Sequence, residues 1–157
     1  MNKHHEFMSE AVKAAIIGIK NNEGGPFGCI IVKNGKIIGQ GNNKVTSTND
    51  PTAHAEVTAI RNACKKLNSF QLHGCTIYTS CEPCPMCLGA IYWARPDKVY
   101  YGCGQKDAAK IGFDDSFIYK QIPLSYNERN IPFEQIGREI ALIPFEKWVH
   151  KNDKITY

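Results

Sequence analysis

Cys81-Glu82-Pro83-Cys84-Pro85-Met86-Cys87 places three of the chain's seven cysteines at intervals of three residues and stiffens the stretch with two prolines. Thr76-Ile77-Tyr78-Thr79 leads in with strand character, and Leu88-Gly89-Ala90-Ile91-Tyr92-Trp93 leads out with helix character. A cysteine pair three apart at a helix start turns both sulfurs to one side of the first turn, which suits a single metal ion. Pro85 fits that first turn, where its missing N–H costs nothing.

Upstream of this stretch, Thr52 is a plausible N-cap for a helix whose inner face is Val57, Ile60, Ala63, Cys64 and Leu67. Cys75 to Thr79 follows as a strand, then a helix over 85 to 94, then a short strand from Lys98 to Tyr101. Alternating helix and strand implies right-handed crossovers and a mostly parallel sheet with helices on both faces. Before it, Phe7, Met8, Ala11, Val12, Ala15, Ile16 and Ile19 mark an apolar stripe on a first helix from about 5 to 20. Asn21 to Pro26 stops that helix. Phe27 to Lys33 and Lys36 to Gly41 flank Asn34-Gly35, a strong hairpin signal, and Asn42 to Thr52 reads as a polar loop. After Gly104 the periodicity fades. Residues 120 to 137 read as loop with short pieces of structure, and Glu139 to Val149 as a last helix interrupted near Pro144.

At 157 residues, with 43% apolar and 22% charged residues, the chain has the size and composition of one globular domain. It has no run near the roughly 18 apolar residues that span a bilayer, and its first residues lack the pattern of a secretory signal. An odd number of cysteines with no such signal points to metal-bound or buried free thiols in a cytoplasmic protein. Cys29, Cys64, Cys75 and Cys103 sit in or beside apolar runs and are expected as small buried hydrophobes. The net charge of +4 is spread out, with Lys65-Lys66 the densest basic cluster, so a nucleic-acid footprint is not indicated.

His54-Ala55-Glu56, at the start of the second helix, changes the meaning of the cysteines. His-x-Glu followed by Pro-Cys-x-x-Cys is the arrangement of zinc-dependent nucleobase deaminases. His54, Cys84 and Cys87 give zinc three protein ligands and leave the fourth tetrahedral position to water. The ion brings the pKa of that water from 15.7 toward about 7. Glu56 is then the carboxylate that takes and returns protons. Both half-sites lie at helix N-termini, where the free N–H groups favour anionic groups. The alternative is a closed structural site with Cys81 as fourth ligand. Against it, Cys81 ends a strand, where its side chain can face the other side of the sheet, and a closed site leaves Glu56 without a role.

Thr52 to Glu56 together with Cys81 to Cys87 resembles the cytidine/deoxycytidylate deaminase superfamily. Longer matches are similar to its bacterial guanine deaminase branch: Gly24 to Gly28, Asn49 to Arg61, Tyr78 through Pro96, Gly112-Phe113-Asp114-Asp115-Ser116-Phe117-Ile118-Tyr119, and the terminal Tyr157. The resemblance runs almost end to end. It implies a three-layer α-β-α sandwich around a mixed five-stranded sheet, with an extended C-terminal segment. It implies one zinc per chain and hydrolysis of guanine to xanthine and ammonia, with zinc hydroxide attacking C2 and Glu56 shuttling protons. By the same resemblance Asp115 contacts the substrate amino group, Asn43 and the Ala55 N–H hydrogen-bond the base, and Phe27 and Trp93 wall the flat purine. The resemblance further implies a homodimer that exchanges C-terminal segments (about 120–157), so that Tyr157 caps the partner's pocket.

Three competing readings remain at this stage. A tRNA adenosine deaminase shares the metal motif but needs a cationic surface for its nucleic acid. The tail from Ile140 to Tyr157 is mixed in charge, and the Phe-Asp-Asp segment does not match that branch. Deamination of cytosine or a cytidine nucleoside is the second, and a non-catalytic zinc module the third.

Overall fold

The structure, a computed structural model, describes residues 2–157. Its chain divides into two units, one up to Ser116 and one from Phe117 to Tyr157.

In the first unit the elements run α1 (Lys3–Lys20), β1 (Gly28–Lys33), β2 (Lys36–Asn42), α2 (Val45–Thr48), α3 (Ala55–Leu67), β3 (Cys75–Cys81), α4 (Pro85–Ala94), β4 (Lys98–Cys103) and α5 (Gln105–Lys110). The sheet order is β2-β1-β3-β4. β1 pairs antiparallel with both β2 and β3, and only β3 and β4 are parallel. The sheet is thus mixed but not mostly parallel, because the β1–β2 hairpin inserts β1 at its centre. Asn34 and Gly35, both at positive φ (49° and 74°), make the tight turn that Asn-Gly promises. Among the described residues the sheet has four strands rather than five, since the chain beyond β4 turns into the short helix α5 instead of pairing again.

β1 is buried along almost its whole length because it faces a core on each side. Cys29 and Ile31 join Ile77, Leu72, Ala59, Ala63 and Ile91 in the core under α3 and α4. Ile30 and Val32 join Ala11 and Tyr78 in the core under α1, with Phe7, Met8, Ile37 and Tyr100 packed against it. This gives the three layers. The inner face of α1 consists of Ala11, Ala14, Ala15 and Gly18. The larger Val12, Ile16 and Ile19 of the expected stripe are exposed instead, because the helix backbone lies too close to the sheet to admit them. A Cβ on Gly28 would fall 2.1 Å from the Ala11 carbonyl oxygen.

The same close seating holds α3 on β2. A Cβ on Gly39 would meet the Ala63 Cβ at 2.6 Å, and one on Gly41 would lie 2.5 Å from both the Ala55 carbonyl oxygen and the Ala59 nitrogen. The helix therefore rests on bare strand backbone at the turn that carries the first half of the metal motif. Its N-cap is His54, not Thr52. The Thr52 hydroxyl instead donates to Asp50 Oδ1 (2.6 Å) and closes the preceding loop.

In the second unit lie most of α6 (Ser116–Gln121), a 3-10 turn over Tyr126–Glu128, and α7 (Arg138–Val149). The Arg129 guanidinium stacks over Tyr126 (4.9 Å) and Phe133 (5.0 Å) and donates to the Leu124 and Ile122 carbonyls. Beside it is an apolar cavity of about 270 Å³ lined in part by Phe117, Ile118, Ile122, Ile131 and Phe133. α7 runs unbroken through Pro144, contrary to the expected interruption. The bond that proline cannot make leaves the Ile140 carbonyl on an exposed residue, where water can satisfy it. No residue from 117 to 157 is buried, although the segment is rich in isoleucine and aromatic residues.

Gly41→Ala is expected to push α3 off β2 and destabilise the protein by about 1–3 kcal/mol, the usual range for an overpacked contact. Thermal unfolding followed by circular dichroism checks the stability, and metal analysis checks whether the displaced helix start still retains an ion.

Candidate metal centre

His54 and Cys84 are the N-cap residues of α3 and α4, both in extended backbone conformation and neither using its side chain to cap its own helix. That frees both side chains to point at one another across the layer where the two helices begin. His54 Nδ1 lies 3.5 Å from Cys84 Sγ and 3.4 Å from Cys87 Sγ. All three ligand atoms lie within 4.8 Å of one another, and among the described residues this is the one His/Cys/Asp/Glu group of that kind. Zinc bound at the usual Zn–N and Zn–S lengths, with tetrahedral angles, separates nitrogen from sulfur by roughly 3.6 Å. The donor set therefore fits zinc in both chemistry and spacing.

The ligands also bias each other's protons. The Cys84 thiol is brought down to about 4, chiefly by the hydrogen bond from Cys87 and next by that from His54, against the opposing effect of burial. The same bond, burial and the nearby Glu56 push Cys87 up. His54 is raised by its hydrogen bond with Cys84. Cys84 is thus the readier of the two to lose its proton, and both thiols give theirs up when they ligate a metal.

Cys81 stands apart. It is buried, its thiol reaches toward the Gly104 carbonyl (3.9 Å), and burial raises it to about 11. It lies outside the His54/Cys84/Cys87 group. Of the other cysteines, Cys29 and Cys75 are buried and Cys64 is half-buried, but Cys103 is exposed, because β4 is an open edge of the sheet.

Glu56, in the first turn of α3, is 6% exposed. Its Oε1 accepts from the Thr79 hydroxyl (2.8 Å), and its Oε2 lies 3.3 Å from Cys87 Sγ. Thr79 is itself fully buried and fixes the carboxylate against the metal ligands. The sequence did contain a signal for it: Cys75, Ile77 and Thr79 alternate onto one face of β3, so a polar side chain ends an inward-facing apolar run.

Next to this cluster, the loop after β2 is stitched to the His54 loop by the Lys44 N–H to the Ala53 carbonyl (2.9 Å). Asn43 is buried there, and its Oδ1 accepts from the Gly25 N–H (3.2 Å) and the Val45 N–H (3.1 Å). Those two bonds occupy the oxygen and leave the Nδ2 amide as the group Asn43 can offer a ligand. The Asn43 N–H donates to the Phe27 carbonyl (3.1 Å), and the Phe27 ring meets Phe113 edge-on at 4.9 Å. Asp115 follows two residues later, half-buried, with Oδ1 accepting from Gln105 Nε2 at 2.6 Å. Ala55 is buried at the first position of α3. Trp93 sits on the outer side of α4, 63% exposed, and Tyr157 in the second unit is 69% exposed. The structure thus gathers His54, Ala55, Glu56, Cys84 and Cys87 closely and joins Asn43, Phe27 and Asp115 to one another through bonded loops. It leaves Trp93 and Tyr157 on the surface of the single chain.

Residues 1–103 match the cytidine and deoxycytidylate deaminase zinc-binding region. The chain is 56% identical over 154 residues to guanine deaminase of Bacillus subtilis (strain 168), covering 98% of this chain and 99% of the relative. It superposes on the X-ray structure of guanine deaminase from Bacillus subtilis with a TM-score of 0.96 at 57% identity, covering 100% of this chain and 99% of the other. A tRNA-specific adenosine deaminase of Aquifex aeolicus (strain VF5) is 47% identical over 81 residues, covering 52% of this chain and 54% of the relative. The architecture is therefore a cytidine-deaminase-like fold.

Cys81→Ser is expected to keep about one zinc per chain and Cys84→Ser to lose most of it, since only the latter removes a ligand of a three-ligand site. Plasma mass spectrometry of the purified proteins measures both, and equal loss in the two variants would make Cys81 a ligand.

Proposed function

The chain belongs to the cytidine and deoxycytidylate deaminase family, and from that premise we propose that it hydrolyses guanine to xanthine and ammonia. The observation that carries this reading is the extent of the likeness. The similarity to guanine deaminase covers the whole chain, including the Asp115 loop and the last 40 or so residues. The match to the Aquifex tRNA deaminase covers about half of each protein.

His54, Cys84 and Cys87 would hold a zinc ion, whose Lewis acidity would make water a nucleophile near neutral pH. The chain's own groups do the rest. Glu56, held by Thr79 on one oxygen, takes one proton of the attacking water to a ring nitrogen of the purine, then carries the second, from the hydroxyl now on C2, to the amine as it departs. Asn43 presents its Nδ2 amide to an acceptor on the base, because its oxygen is already engaged by backbone. The Ala55 N–H, free at a helix start, is a second donor to the base. Asp115 accepts from the exocyclic amine and assists its departure. Phe27, braced edge-on by Phe113, forms one wall against the flat ring. Trp93 is assigned to the outer rim of the pocket.

The finer reading of the assembly is a homodimer exchanging C-terminal segments, so that Tyr157 of one copy closes the pocket of the other. Its support is physical. The segment from 117 to 157 exposes Phe117, Ile131, Phe133, Ile136, Ile140, Phe145, Val149 and Ile155 and buries none of its residues. An apolar surface of that kind marks an interface. The free thiols of all seven cysteines suit a reducing cytoplasm. Among the described residues no helix is long and apolar enough to cross a membrane.

Ammonia release assayed in parallel on guanine, adenine, cytosine, cytidine and tRNA should be largest with guanine, and adenosine in tRNA as the sole substrate would overturn the assignment. On guanine, Glu56→Gln should keep its zinc and lose about 10²–10⁴-fold in kcat, the usual scale for a general acid–base.

Removal of residues 153–157 should leave the thermal midpoint of the first unit in place and cripple guanine turnover. Mixing that truncated chain with the Glu56→Gln full-length chain, under conditions that exchange subunits, should restore part of the activity. Failure to do so would count against the exchanged segment.

A further inference from the structure

The residues Gly102-Cys103-Gly104-Gln105 match no motif position in the sequence, yet the structure ties Gln105 to both halves of the site. Its side-chain Nε2 donates to Asp115 Oδ1 at 2.6 Å, a short bond of the charge-assisted kind. Its backbone N–H, the first of α5, donates to Glu82 Oε2 at 3.0 Å. Glu82 lies two residues before the metal ligand Cys84, and its own N–H donates to the Cys103 carbonyl at 2.8 Å. A chain of hydrogen bonds therefore runs from the cysteine loop through Glu82 and Gln105 to Asp115.

We infer that Gln105 is a positioning residue for the deamination, fixing the Asp115 carboxylate and registering its loop to the metal loop through Glu82. This rests on the assignment of Asp115 to the substrate amine. The chemistry favours an amide here. A carboxylate that must accept from the amine needs one oxygen held and the other left for substrate, and the bond to Oδ1 makes that division. An amide N–H donates without surrendering its proton, so it draws none from the transfer between Asp115 and the leaving group. A lysine or arginine in its place would form an ion pair and hold the carboxylate against taking up a proton. The neighbouring Asp114 is turned elsewhere, with its Oδ1 accepting from the Ser116 N–H (2.9 Å) at the start of α6. Asp114 is exposed and Asp115 half-buried. On its other side the same loop is held by Phe113 against Phe27, so Asp115 is clamped from two directions.

The test is a double-mutant cycle on the zinc-loaded enzyme. Gln105→Leu should lower kcat on guanine about 10–100-fold, the cost of a catalytic group displaced by an ångström or so, with zinc content and thermal midpoint unchanged and KM moved about threefold or less. Added to Asp115→Asn, the same substitution should cost about twofold or less, because the group it positions is already gone. The Gln105 side-chain amide resonances in a ¹⁵N–¹H correlation spectrum should shift on Asp115→Asn. Should leucine unfold the loop, Gln105→Asn, one methylene too short to reach, replaces it in the same cycle. Wild-type kcat in the Gln105 variant with Asp115→Asn impaired overturns the inference alone. So does an equal loss from the Gln105 substitution in both backgrounds. Wild-type kcat in Asp115→Asn overturns the reading of Asp115 and the positioning role with it.

Discussion

Two helix N-termini are brought to within one coordination sphere of each other, and most of the molecule follows from that constraint. α3 begins at His54 and α4 at Cys84, and the three ligand atoms they supply lie within 4.8 Å of one another. Like ends of two helix dipoles repel when set side by side. Thiolate sulfurs set between them offset that repulsion, because anionic groups are favoured at helix N-termini. The central sheet exists in this form to make the meeting possible. β3 delivers Thr79 and then the cysteine loop, and β2 offers bare glycine backbone on which α3 can settle. Glu56 is buried at the same place and is tolerated because Thr79 satisfies one oxygen and the metal side of the site faces the other.

Much of this was legible in the residues. The His-x-Glu and Pro-Cys-x-x-Cys pair identified the ligands because the chemistry admits few residue types at few spacings. The helix from 85 to 94 was bounded by Pro85 and by Arg95-Pro96, and its limits were read directly. What the sequence withheld was set by tertiary contact. Strand direction was misjudged because a hairpin that pairs on both sides of β1 looks, residue by residue, like any other hairpin. The stripe on α1 is only partly the inner face: Phe7, Met8, Ala11 and Ala15 turn to the sheet, while the branched Val12, Ile16 and Ile19 stay outside because the helix seats closely on alanine and glycine. The alternation along β3 marks Thr79 as an inward polar residue, but the partners through which Thr79 and Gln105 work, Glu56 and Asp115, are distant in sequence. No local periodicity carries such a pairing.

The second unit presents the opposite case, a segment whose local structure is clear and whose energetics are incomplete. Arg129 lies against the stacked rings of Tyr126 and Phe133, and α7 is long enough to hold its hydrogen bonds through Pro144. Yet a piece of about 40 residues with no buried side chain has too little apolar burial to offset its conformational entropy. Covering those isoleucines and aromatics would supply the missing burial. In the dimeric reading the same contact that completes the fold also completes the pocket, so assembly and activity rise together.

The glycines of β2 carry a consequence for how such an enzyme can change. Because α3 sits on strand backbone at Gly39 and Gly41, with no side chain between the layers to trim or enlarge, the metal half of the pocket has almost no adjustable parts. At those two positions even a single added Cβ collides with α3. The loop bearing Phe113 is different, since Phe113 is exposed and a side chain there can be exchanged without moving a helix. A closely seated metal centre and a more open loop are thereby separated within a single short chain, and a designer seeking to alter the site would begin at the loop.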